Sequence, residues 1–104
     1  MPEQFHRSHR HSADYYERVL RLLIAGNAEA LPYKQIAEKL NAEKIATPTG
    51  QLWTDSHIRQ VLKKLRAYKL YPSIIHQNLL ELIFEGRLSM KDSIPLYRTR
   101  RGVA

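Results

Sequence analysis

The chain has no cysteine in its 104 residues, which excludes a disulfide framework and any zinc site built on thiolates. Glycine is scarce too, with four residues and none adjacent to another, so no glycine-rich loop can cradle a nucleotide phosphate. Hydrophobic runs are short. Nothing approaches the roughly 20 apolar residues of a membrane span, and the N-terminus lacks the charged-then-apolar order of a signal peptide. The expected setting is reducing and cytoplasmic, at the nucleoid. Acid is absent locally: between Asp55 and Glu81 no carboxylate occurs, while Arg59, Lys63, Lys64, Arg66 and Lys69 fall in that interval. With a net charge of +7, this concentration of cations favours an acidic partner, nucleic acid well ahead of an anionic membrane.

Catalytic groupings are missing as well. Ser12, Ser56, Ser73, Ser89 and Ser93 occupy positions explained by helix caps or surface, and none lies in a nucleophile elbow or beside an evident His/Asp partnership. His6, His9 and His11 lack carboxylate or thiolate companions, so metal binding is not expected. The expectation is a protein that binds without catalysis and without a cofactor. A hydrophobic content of 43% is ordinary for one small globular unit with a modest core.

What is present is helix after helix. Ser12 caps a helix running to about Ala25 and closed by Gly26, with Tyr15, Tyr16, Val19, Leu20, Leu22, Leu23 and Ile24 over a wide apolar arc. A fourth helix from Pro72 or Ser73 to about Glu85 stops at Gly86, and its arc holds Ile75, Leu79, Leu80, Leu82, Ile83 and Phe84. Such arcs either wrap the core from both ends or leave a patch for a homodimer, for which Leu79, Leu82, Ile83 and Phe84 are the candidates. A final short helix begins at Ser89 and ends at Pro95. No strand pattern and no internal repeat stands out. The fold class expected is all-α: a small helical bundle with a helix-turn-helix-like unit over residues 33–68 and an extended Pro/Gly loop between its two helices.

The chemistry lies in that unit. Its first helix, about Lys34 to Asn41, carries Tyr33, Ile36, Ala37 and Leu40 as an apolar stripe and acts as a support. In the loop, Thr47-Pro48-Thr49-Gly50 suits a type I turn, with Pro at the second position and Gly at the fourth. The second helix is capped by Thr54, with Asp55 favourably placed for the helix dipole. Ile58, Val61, Leu62 and Leu65 follow the spacing of a packing face, while Ser56, Arg59, Gln60 and Lys63 form the opposite face, able to hydrogen-bond base edges or phosphate. Trp53, directly before the cap, is expected in the core rather than stacked on a base.

The run Ile36-Ala37, Leu40-Asn41, Ile45, Thr47-Pro48, Gly50, Trp53, Ile58-Arg59 and Val61-Leu62, with Tyr68 beyond, resembles the recombinase domain that follows the catalytic domain in large serine recombinases. The resemblance covers the middle third of the chain. It implies a DNA-binding domain whose helix after the tryptophan approaches the major groove. The coiled-coil and cysteine-rich zinc regions of that family are not represented, and the catalytic domain has no room here. One departure concerns the backbone: Lys44 stands where the family usually has glycine, so the left-handed helix end that glycine permits is either absent or strained.

The expected function is sequence-specific binding of double-stranded DNA, as a stand-alone transcription regulator of bacterial or mobile-element origin. The alternatives are an accessory factor in site-specific recombination and a protein-interaction adaptor. Residues 12–97 form the expected DNA-binding domain, flanked by basic segments 1–11 and 98–104. The expected DNA contacts are Ser56, His57, Arg59, Gln60, Lys63, Lys64, Arg66 and Lys69, Thr49 from the turn, and Arg7, Arg10, Arg100 and Arg101 from the arms. His76 is expected to pack rather than to switch.

Overall fold

The computed structural model describes residues 11–70 and 72–97. Among the described residues there are five helices and no strand: α1 Ala13–Ala28, α2 Tyr33–Ala42, α3 Asp55–Arg66, α4 Ile74–Phe84 and α5 Met90–Tyr97. The all-α expectation holds. Hydroxyls mark the starts of four of these helices, while α2 follows Pro32 without a side-chain cap. Ser12, Thr54 and Ser73 accept the backbone N–H groups of Tyr15, His57 and His76, and Ser89 accepts that of Asp92. Each bond satisfies a donor that the first helical turn leaves without a partner.

Helix ends depart from expectation in two places. Gly26 does not close α1, which continues to Ala28 and turns at Ala30, held at φ 55 while Leu31 N–H reaches back to Gly26 C=O at 2.9 Å. Gly26 serves packing instead: a Cβ there would stand 2.6 Å from Ile36 Cγ1, so the bare backbone is what admits α2. Lys44 closes α2 in the same way at φ 61, its N–H donating to Asn41 C=O and that of Ile45 to Leu40 C=O. Both non-glycine turns adopt the left-handed conformation, a strain of about 1–2 kcal/mol each, offset by the paired helix-end carbonyls. At α4 the expected glycine stop is present, with Gly86 at φ 82.

Pro95 lies inside α5 rather than ending it. A proline there removes one ladder bond, to the C=O of exposed Lys91, where water can substitute. The turn is retained because Ser93 and Leu96 are fully buried and Asn27 Nδ2 donates to Pro95 C=O at 2.8 Å.

The helices α1 and α3 are central, each packing against α2, α4 and α5. The wide arc of α1 wraps the core: Tyr16, Val19, Leu20 and Leu23 are buried, with Tyr15, Leu22 and Ile24 partly buried around them. Outside this face, Arg87 from the α4–α5 connection binds Glu17 through Nε at 2.9 Å and also reaches Asp14, while Arg21 holds Glu17 at 2.8 Å. Arg21 further donates to Arg87 C=O at 2.6 Å. These bonds hold the Glu17 carboxyl below its ordinary range, the Arg21 hydrogen bond first among the causes.

The arc of α4 divides. Leu79 and Leu82 are 0% and 1% exposed, which corrects their assignment to a shared dimer surface: they fill their own core. Ile83 is partly buried, and Phe84 is 92% exposed. Among the described residues no helix is long and apolar enough to cross a membrane.

Candidate nucleic-acid interface

The two faces of α3 separate as its spacing suggests. Ile58, Leu62 and Leu65 are wholly buried, with Val61 partly so, whereas Ser56, Arg59, Gln60 and Lys63 point to solvent, with Lys64 beside them. Behind α3 stands α2, whose Ile36, Ala37 and Leu40 are buried. Tyr33 extends the support: the Arg59 guanidinium lies 5.9 Å from its ring centre, and Asp55 pairs with Arg59 at 3.5 Å. An exposed pair of this kind contributes only about 0.3–0.5 kcal/mol, too little to hold Arg59 back from a phosphate or base.

The loop before α3 is fixed at several points. Gly50 N–H donates to Thr47 C=O at 2.8 Å, closing the expected turn, and Gln51 N–H donates to Thr47 Oγ1 at 2.9 Å. Thr49 is exposed on that turn. Trp53 is 3% exposed and donates from Nε1 to Ile45 C=O at 2.8 Å, while its backbone N–H reaches Asn41 Oδ1 at 2.8 Å and its C=O accepts from Asn41 Nδ2. It is a core residue, as the sequence suggests. His57 joins the cap: its Nδ1 accepts the Thr54 N–H at 3.1 Å while Thr54 Oγ1 accepts the His57 N–H. The ring lies edge-on to Trp53 and is partly buried.

Beyond these residues, Lys69 is exposed and Arg66 partly buried. Arg7, Arg10, Arg100 and Arg101 lie outside the described residues. His11, the last residue of the expected N-terminal arm, is seated: its ring stacks on Tyr15 at 4.3 Å and its Nε2 meets Pro48 C=O at 2.7 Å. Tyr15 reinforces the contact by donating its hydroxyl to Ala46 C=O at 2.6 Å, and burial raises the pKa of that phenol. His11 is thus held in place by an aromatic shelf and a carbonyl that receives its imidazole.

Sequence reasoning missed a cleft. About 520 Å³ of space lies between the Thr47–Thr49 turn, the His57, Gln60 and Lys64 flank of α3, and the start of α4 near Ile74, with Tyr16 and Trp53 among its walls. No spacing rule joins segments so far apart in the chain, so single residues such as Thr49 and the α3 side chains carried a signal while the cleft they form carried none. A second unforeseen grouping is aromatic. Tyr68 stacks on His76 at 4.5 Å, and the His76 Nε2 lies 3.2 Å from the Tyr97 hydroxyl. His76 is buried, as expected of a packing residue, and burial keeps its pKa below the usual imidazole range.

Ser12, Ser73 and Ser89 are occupied as caps, the Ser93 hydroxyl donates to Met90 C=O at 2.7 Å, and no cluster of His, Asp or Glu suited to a metal occurs among the described residues. No curated protein and no solved structure matches the chain. A family match does exist, and it reaches well past the middle third to take in the α1 cap, the support helix, the loop, α3, α4 and the first turn of α5. Residues 12–92 fit the family model described as Recombinase, and the chain belongs to that family.

Proposed function

We propose that this chain is a duplex-DNA-binding module of a recombination system, reading DNA through the outward face of α3. One observation carries the proposal. Ser56, Arg59, Gln60 and Lys63 are exposed opposite a wholly buried stripe, on a helix with no acidic residue after Asp55. Membership of the Recombinase family implies DNA binding, in keeping with that face. Arg59 and Gln60 suit base edges; Lys63, Lys64, Arg66 and Lys69 suit phosphate; His57 and Thr49 border the helix N-terminus. The unit is the helix-turn-helix-like pair α2–α3 with its extended loop, carried by residues 12–97 and flanked by basic segments on both sides. In this reading the described residues bind DNA and leave strand chemistry to a separate catalytic domain.

The family match points to recombination rather than to stand-alone control of transcription. Sequencing of genomic fragments retained by the purified chain tests this. Retained sites at the ends of mobile elements or at recombination junctions support the proposal, and promoter-centred sites restore the regulator. A homodimer remains compatible with Phe84 and Ile83, the two candidates on α4 that the core does not enclose. Inverted-repeat binding sites, with half-sites about one helical turn apart, would accompany it.

A further inference from the structure

The cleft beside α3 is preformed, and it borders the proposed DNA-reading side of α3 without supplying a track of cations of its own. Its turn is closed by the Thr47, Gly50 and Gln51 hydrogen bonds, Trp53 is anchored to Ile45, and Ser73 caps α4 at its far side. A volume of about 520 Å³ holds several side chains and falls within the range of ligand sites. A nucleic-acid strand needs a track of cations along its backbone. Among the lining residues Lys64 is the one Lys or Arg, and the remaining walls include Pro48, Val61 and Ile74. None of the lining residues is acidic, and no Asp or Glu occurs between residues 55 and 81.

We propose that this cleft docks a short acidic segment of a partner protein, with apolar side chains against Pro48, Val61 and Ile74 and a carboxylate on Lys64. Charge complementarity selects this occupant: a mostly apolar cleft with one lysine and no carboxylate among its walls attracts an anionic, apolar peptide and repels a basic one. Gln60 and Lys64 line the cleft and also belong to the outward side of α3. The docked segment therefore competes with DNA, a consequence that rests on the DNA-binding reading, whereas the docking itself does not.

The test selects phage-displayed random peptides on the intact chain, then titrates a tryptophan-free synthetic peptide of a selected sequence while Trp53, the single tryptophan, reports by its emission. Selected sequences should place Asp or Glu beside large apolar residues, and the peptide should shift Trp53 emission saturably. Lys64→Glu and Ile74→Ser, both at exposed positions, should each weaken it about tenfold, equivalent to roughly 1.4 kcal/mol, with the circular dichroism unchanged. Duplex DNA should displace the peptide. No enrichment, enrichment of basic or uncharged sequences, or affinity indifferent to both substitutions would overturn the proposal. A Trp53 response to duplex DNA with no peptide selected would assign the cleft to nucleic acid and overturn it too. Peptide binding by a chain that ignores duplex DNA would keep the docking site and remove the DNA reading, so the two failures are distinguishable.

Discussion

Gly26 of α1 and Ile36 of α2 meet so closely that a Cβ on Gly26 would stand 2.6 Å from Ile36 Cγ1 and 2.8 Å from its Cδ1. Alanine would favour the helix by up to about 1 kcal/mol over glycine. It would also drive a methyl against the side chain of a fully buried isoleucine, which would have to shift, at about 1–3 kcal/mol. Overpacking should win. Gly26→Ala is expected to lower stability in urea titration, and Ile36→Ala in the same chain to cancel the clash, giving a non-additive double-mutant cycle.

Lys44 offers the opposite case. Its φ of 61 is strained for a residue with a Cβ, and the helix-end bonds need only its backbone. Lys44→Gly should therefore raise stability by up to about 1 kcal/mol, reduced by the added freedom of the unfolded chain. A thermal melt showing lower stability would mean that the Lys44 side chain contributes more than its backbone strain costs.

Trp53 should emit at short wavelength, as a buried indole does. Trp53→Ala is expected to cost about 3–5 kcal/mol, a large part of a small domain's stability. Trp53→Phe keeps much of the apolar area but leaves the Ile45 C=O without its indole donor, a loss of about 1–3 kcal/mol. Denaturant titration of the two variants separates the packing part from the hydrogen bond.

His76 gives a pH dependence of known sign. Burial lowers its pKa in the folded chain, so the unfolded chain binds the proton more readily. The contribution is full above the unfolded imidazole range, near pH 6.5, and is lost as pH falls through that range toward the lower folded value. His76→Phe, which keeps a ring beside Tyr68, should flatten the fall in stability between about pH 7 and pH 5. An unchanged slope would assign the titration to other groups.

The sequence legible here is the part governed by local rules. Hydroxyl caps at Ser12, Thr54, Ser73 and Ser89, the division of α3 into buried and exposed sides, and the burial of Trp53 follow from spacing and from single-residue chemistry. The misreadings share a cause, because each depends on what another segment brings. Gly26 resembles a helix stop until Ile36 is placed against it, and Pro95 until Asn27 and the buried Leu96 hold its turn. Leu79 and Leu82 look available for a partner until α1 covers their face. The cleft and the Tyr68–His76–Tyr97 grouping are tertiary altogether, so no pattern in the chain joins the residues that form them.

The outward face of α3 is tested most directly by the salt dependence of duplex binding, followed by fluorescence anisotropy on a labelled duplex. The wild-type chain should bind with an affinity that falls steeply and log-linearly with salt. Lys63→Ala should weaken binding across all sequences and reduce the salt slope by about one, while Arg59→Ala should cost about 1–3 kcal/mol on a selected site and relax its base preference. Both residues are exposed, so the helical signal should be unchanged. An Arg59→Ala/Lys63→Ala chain that is folded and binds duplex DNA as the wild type does, with the same salt slope, would contradict the assignment of α3 as the reading helix.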